Sequence, residues 1–202
     1  MPAAEDHVAL RVRMAPDLPS ALVEHIDRVV SVAGELARIH RLDERRVLLA
    51  AQGHDVLRGL SPEALLEAAA VRGLEVGEFE RAEPVILHGP LGAIELKARG
   101  WMDDRELLDA IRWHTTGHPD YGPIAWAMFV ADKVEPAKIE RWPALDAVAE
   151  AMEHSLEGAA LLYLDLLHER LEGEGKASHP LAEQTRQALR ERDEGSITSS
   201  GS

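Results

Sequence analysis

His54 and Asp55 stand side by side in an apolar stretch, Leu48–Arg58, with the sequence LLAAQGHDVLR. Burying two ionisable neighbours without partners is costly, so such a pair points to a shared cation or to a rigid buried hydrogen bond. Adjacent side chains on a helix diverge by about 100°. An ion reached by both residues would therefore lie beside the helix and take its other ligands from other segments. Candidates recur along the chain: His25, His114 and Asp132 sit on or next to apolar helical faces, and His88 sits at a helix entrance. Neutral imidazoles and carboxylates suit Fe, Mn, Co, Ni or Zn, and the absence of cysteine removes thiolate sites. A mixed His/Asp set with open positions favours catalysis over a closed structural site: it orients a water, lowers its pKa and polarises a phosphoryl oxygen.

Helices must position these groups. Ser20 is expected to cap a helix running to Ile39, with Leu22, Ile26, Val29, Ala33 and Leu36 on its inner face and His25 beside that stripe. Asp43 caps a second helix, expected to continue through His54 and Asp55. Ser61-Pro62-Glu63 starts a third, which ends near Gly73; Leu74–Glu83 is expected to be an acidic connector. LHGPLGA, with His88 just before Pro90, opens the next, closed by Gly100. Asp103-Asp104-Arg105-Glu106 resembles a capping box for a helix that finishes at His114. Pro123 opens a helix leading to Asp132, and Glu135-Pro136 stops or bends it. One long helix is expected from Pro143 to Leu171, and a last amphipathic segment from Pro180. His7, His40, His154, His168 and His179 share no pattern and are assigned to surface or capping roles.

The composition agrees with an all-α chain. Ala, Leu, Glu and Arg dominate, β-branched runs are few, and aromatics are scarce (two Phe, two Tyr, four Trp). At 202 residues one domain is expected over 19–194, with an N-terminal extension at 1–18 and a flexible tail or cloning remnant at 195–202. A formal charge of -14 argues against a nucleic-acid surface. A small phosphorylated substrate stays open, provided a metal and local cations invert the potential. No apolar run approaches the roughly 18 residues of a membrane span, and the N-terminus has no signal-peptide core. The chain is expected to be cytoplasmic, and a homodimer is an ordinary expectation without a patch to argue for it.

The order His25, His54–Asp55, His88, His114, Asp132 resembles the HD-domain phosphohydrolase superfamily. LHGPLGA, AIRWHTTGHP and VADKVEP are similar, more narrowly, to the YqeK-like branch, the bacterial symmetrical diadenosine tetraphosphatases. The likeness spans roughly Pro19 to Pro180. It implies a helical HD fold that holds a metal, iron first, through His25, His54, Asp55 and Asp132, as one ion or two with Asp55 bridging. It also implies cleavage of diadenosine tetraphosphate into two ADP. His88, and His114 with Thr115, would then face the phosphates or bind a second ion, with Asp55, His88 and His114 as the catalytic groups. Asp132 and Lys138 would border the substrate, Lys138 supplying a point charge where the family usually has arginine. Three positions depart from the family pattern: Leu22 for a basic residue, Arg58 for lysine, and Lys133 for tyrosine. Other readings are a phosphohydrolase for a different nucleotide, a nucleotide-binding sensor with little turnover, and a helical interaction module whose histidines only pack.

Overall fold

The computed structural model describes residues 6–199, with side chains for 6–195, and among these the secondary structure is helical without strands. The centre is α8 (Pro123–Lys133), whose residues from Ile124 to Lys133 are all buried. A helix apolar on every side has to be surrounded. Around it pack α2 (Ser20–Ile39), α3 (Glu44–Gly53), α7 (Arg105–Arg112) and α11 (Leu156–Gly173). Alanines at 125, 127 and 131 let neighbours approach, while Trp126 and Phe129 fill the space between them. α6 (His88–Ala98) lies along α7. A smaller apolar cluster of Leu65, Ala69, Leu87 and Leu91 ties α4 (Pro62–Val71) to α6.

Several boundaries differ from the sequence expectation, each for a local reason. The N-terminal extension contains α1 (His7–Met14), capped by the Asp6 side chain, and its Leu10 and Met14 are buried in the main core. Those two residues, four apart, were the available signal. The helix carrying the His–Asp pair stops at Gly53, so His54 is its C-cap and opens a run of turns that includes Asp55. The Asp104 side chain alone caps α7, and Glu106 pairs with Arg46 rather than closing a box; the helix ends at Arg112, short of His114. The acidic connector contains α5 (Glu78–Ala82). The long helix expected from Pro143 is two, α10 (Asp146–Ala151) and α11, because the Ser155 side chain accepts the Gly158 N–H and starts a new helix. α9 (Pro136–Arg141) follows α8 directly. α12 (Pro180–Ser199) takes in 195–199 of the expected tail, and 200–202 lie outside the described residues, as do 1–5 of the extension.

One close approach sets the geometry of the site. A Cβ placed on Gly89 would fall 2.8 Å from the Arg112 carbonyl oxygen and 3.2 Å from that of Ile111. The start of α6 thus abuts the end of α7, which brings His88 to His114. Gly89→Ala should cost about 1–3 kcal/mol through overpacking. It is expected to lower Tm by several degrees in a thermal melt, and to reduce bound metal as the two imidazoles separate.

Candidate metal centre

Six side chains from five segments converge: His25 from α2, His54 and Asp55 after α3, His88 at the start of α6, His114 after α7 and Asp132 from α8. Asp55 lies in the middle. Its Oδ2 is 3.4 Å from His54 Nε2 and 3.6 Å from His25 Nε2. Its Oδ1 faces the other way, 3.0 Å from His88 Nε2 and 3.4 Å from His114 Nε2. Asp132 Oδ1 joins the first side, 3.3 Å from His25 Nε2 and 3.6 Å from His54 Nε2. Two ligand groups therefore share one carboxylate: His25, His54 and Asp55, and Asp55, His88 and His114.

The histidines are oriented by a repeated local device. His54 Nδ1 donates to the Ala51 carbonyl at 2.7 Å, His114 Nδ1 to that of Ile111 at 2.7 Å, and His88 Nδ1 to that of Val85. In each case the acceptor is three residues earlier, at a helix end or tight turn, where the carbonyl's second lone pair can take the ring N–H. A carbonyl only accepts, so Nδ1 must carry the hydrogen, and the Nε2 lone pair is left facing inward. His25 sits inside α2, where the preceding carbonyls serve the helix. Its Nδ1 faces Glu135 Oε1 at 3.3 Å instead. Glu135 is fully buried and also takes Arg28 Nε at 2.6 Å. Burial opposes its ionisation, but Arg28 and the Ala137 N–H hold its pKa below the ordinary value. Neither Glu135 nor Arg28 was singled out from the sequence. The signal was available, because a glutamate ahead of Pro136 is both helix cap and candidate partner for a ligand one helix away.

The donor set fits a metal. His54 Nε2 is buried and has no hydrogen-bond partner, an orphan that a cation would satisfy. His88 Nε2 and His114 Nε2 approach to 2.9 Å. With both Nδ1 atoms protonated, two lone pairs would collide there unless a proton or cation lies between them. Burial also opposes charge on Asp55 and Asp132, yet both stay ionised. His54, with bonds from His114 and His88, holds Asp55 well below the usual carboxylate range, and Lys133 and Lys138 do the same for Asp132. Without metal the balancing charge falls on His54: burial lowers its pKa, but Asp55 and Asp132 outweigh that and raise it to about 10. Burial drives His114 the other way, down to about 4.

Other residues named from the sequence are distributed around this centre. Lys138 Nζ bonds Asp132 Oδ1 at 2.6 Å, and Lys133 Nζ bonds Asp132 Oδ2 at 2.7 Å and the His114 carbonyl at 2.9 Å. Lys133, at the position where tyrosine was expected, is buried over the Phe129 and Tyr163 rings. Thr115 has no hydrogen bond to the cluster and lines a cavity of about 210 Å³ with Leu87, Pro90 and Trp113. Leu22 packs against the core, and Arg58 is exposed on the turns after Asp55. His179 caps α12 by accepting the Leu181 N–H, and His168 pairs with Glu183, in keeping with the capping and surface roles expected for them.

An all-α scaffold closing around shared His/Asp ligands defines a candidate metal centre. The chain belongs to the HD domain family, which matches residues 22–137 and so contains every residue of the centre. Among curated proteins it is similar to the "Bis(5'-nucleosyl)-tetraphosphatase, symmetrical" of Bacillus subtilis, 28% identical over 68% of this chain and 72% of that one. The protein of the same name from Halalkalibacterium halodurans is 27% identical over 72% and 76%. Among solved structures, a "predicted HD superfamily hydrolase involved in NAD metabolism" from Clostridium acetobutylicum superposes with a TM-score of 0.86 at 25% identity. That match covers 94% of this chain and 100% of the other. The chain is thus an HD-domain phosphohydrolase with a divalent-metal centre. No helix among the described residues is long and apolar enough to cross a membrane.

Two outcomes are expected. Glu135→Ala removes the anchor of His25 and should weaken metal affinity about 10–100-fold in a competition titration with a chelator. Chelator-treated protein should be most stable near pH 6.5. Above it the folded state's extra proton on His54 is lost as pH rises to about 10. Below it the unfolded chain protonates His114 while the folded one resists until about 4, and the carboxylate contribution goes at still lower pH. Saturating metal should abolish the alkaline decline, read as Tm against pH.

Proposed function

We propose that the protein hydrolyses dinucleoside polyphosphates, diadenosine tetraphosphate first, symmetrically into two ADP. The observation that carries this reading is Asp55 shared between two histidine groups, with Lys138 on the neighbouring Asp132, in a chain similar to enzymes named for that reaction. His25, His54, Asp55 and Asp132 would hold a first metal; His88 and His114 with Asp55 would hold a second or act directly on phosphate. Imidazole and carboxylate ligands suit Fe, Mn, Co, Ni or Zn, and the family resemblance puts iron first. When bound, the metal supplies Lewis acidity at a phosphoryl oxygen and lowers the pKa of a coordinated water.

The remaining chemistry belongs to the chain. One water adds its oxygen to an inner phosphorus, and the bridging P–O bond between the two inner phosphates breaks. The departing ADP oxygen needs a proton, and the His88–His114 pair, whose Nε2 atoms approach to 2.9 Å, is the candidate to give it when it does not hold an ion. Lys138, part-exposed beside Asp132, neutralises charge gathering on the non-bridging oxygens. Thr115 contacts the substrate only through the cavity it lines.

The test is ADP release from diadenosine tetraphosphate by iron- or manganese-loaded protein, resolved chromatographically. ADP is expected as sole product, with Asp55→Ala lowering turnover at least about 10²-fold. ATP plus AMP, or no product, rejects the reading. Lys133 and Lys138 occupying both oxygens of Asp132 favours a second reading, a nucleotide sensor with little turnover. That alternative predicts thermal stabilisation by ADP without cleavage.

A further inference from the structure

Lys133 is the last residue of α8, a position from which a lysine ordinarily reaches past the helix C-terminus into solvent. It turns inward instead and is only 6% exposed. Its ammonium has three hydrogens to place and no acceptor. Asp132 Oδ2 takes one at 2.7 Å and the His114 carbonyl takes another at 2.9 Å. The remaining side of the ammonium lies over aromatic rings, 4.8 Å from the Phe129 centroid and 5.5 Å from that of Tyr163. Lys133 thus ties a carboxylate beside the first histidine pair to the backbone that carries a member of the second.

Lys138 meets Asp132 in a different way. Its Nζ is 2.6 Å from Oδ1, the oxygen that faces His25 and His54, and its side chain is 29% exposed. An ion entering that group takes Oδ1, and Lys138 has solvent beside it to move into. Lys133 holds the other oxygen and is enclosed by Phe129, Tyr163 and the His114 carbonyl, so it has nowhere to go. Both lysines line a cavity of about 320 Å³ with Arg141 and Arg170, and no carboxylate is among its lining residues. Asp132 is the carboxylate that answers the Lys133 ammonium.

We infer that Lys133 is a built-in counter-cation of the centre: it holds Asp132 in place before metal arrives, and by staying afterwards it weakens the grip on the ion and leaves the loaded centre more positive toward an anion. Lys133 acts through Asp132 and is a positioning residue. Charge counting gives the reason. Asp55 and Asp132 together balance one divalent ion, so a buried ammonium leaves one positive charge over, where water screens it poorly. One residue then moves metal affinity and anion affinity in opposite directions. The anion half rests on the proposed phosphohydrolysis and deepens it; the metal half stands without it.

Three variants separate charge from packing. Lys133→Met keeps the length of the side chain and removes both charge and donors, Lys133→Gln keeps a donor without the charge, and Lys133→Arg keeps the charge. Manganese affinity is read by competition with a chelator, and inorganic phosphate affinity by calorimetric titration of the manganese-loaded protein. Lys133→Met and Lys133→Gln are expected to bind manganese at least about tenfold more tightly. They should bind phosphate at least about threefold more weakly, with Lys133→Arg within about threefold of wild type in both titrations. Metal-free Lys133→Met should melt below wild type, and saturating manganese should narrow the gap. Manganese binding that is unchanged or weakened in both neutral variants overturns the inference, as does an equal drop in Tm with and without metal. Wild-type affinity in Lys133→Gln would assign the effect to the hydrogen bond and overturn the role of charge. Tighter manganese with unmoved phosphate overturns the anion half. If Lys133→Met fails to fold, the glutamine and arginine variants carry the comparison. The expected affinity shifts in a protein that releases no ADP from diadenosine tetraphosphate would keep the counter-cation and reject the enzymatic reading. ADP release by a protein whose Lys133 variants all bind manganese as wild type does would do the reverse.

Discussion

Two ionised carboxylates, Asp55 and Asp132, sit in a cluster almost closed to solvent, and most of the local structure compensates for them. An uncompensated buried anion is costly enough to unfold a domain of ordinary stability. Asp55 is therefore ringed by four imidazoles, and Asp132 has an ammonium on each oxygen. Protonation of His54 is the chain's own remedy; a divalent ion is the stronger one and displaces that proton. Folding, metal binding and proton release are on this account one coupled equilibrium.

Rigidity in the cluster comes from backbone rather than from side-chain packing alone. Three of the four inner histidines donate to a carbonyl three residues back, His54 and His114 just past a helix end and His88 at a helix start. The helix ends after Gly53 and Arg112 therefore serve the site: continuing either would engage the carbonyl that aims the ring. His25 has no such carbonyl and depends on Glu135, which reaches it from the far end of α8 and is itself held by Arg28. The first helix of the HD region and the α8–α9 junction are locked together at that point.

The charge distribution follows the same division. The chain carries a net charge of -14, while the basic cavity lies beside Asp132, where α9, its C-cap Trp142 and α11 supply Arg141, Trp142, Tyr163 and Arg170. Of the four cations in that wall, Lys133 and Lys138 lie close to Asp132 in sequence, whereas Arg170 is brought in by α11.

By itself the sequence determined the helical class, most helix starts, and the identity of the six converging residues. Caps and periodicity are local, and the His/Asp order is a pattern that spacing preserves. Helix ends were less legible. The stops at Gly53 and Arg112 have no proline and no positive-φ glycine, and depend on a side-chain bond that forms only once the ring has somewhere to point. The early core helix was missed because two buried residues, Leu10 and Met14, make too weak a stripe to stand out from an N-terminal segment. Only the tertiary structure decided that Asp55 turns one oxygen to each histidine pair, that Glu135 stands behind His25 across 110 residues, and that Lys133 points inward to Asp132. These are distances between helices, set by how small residues such as Gly89 let backbones approach, and no local propensity encodes them.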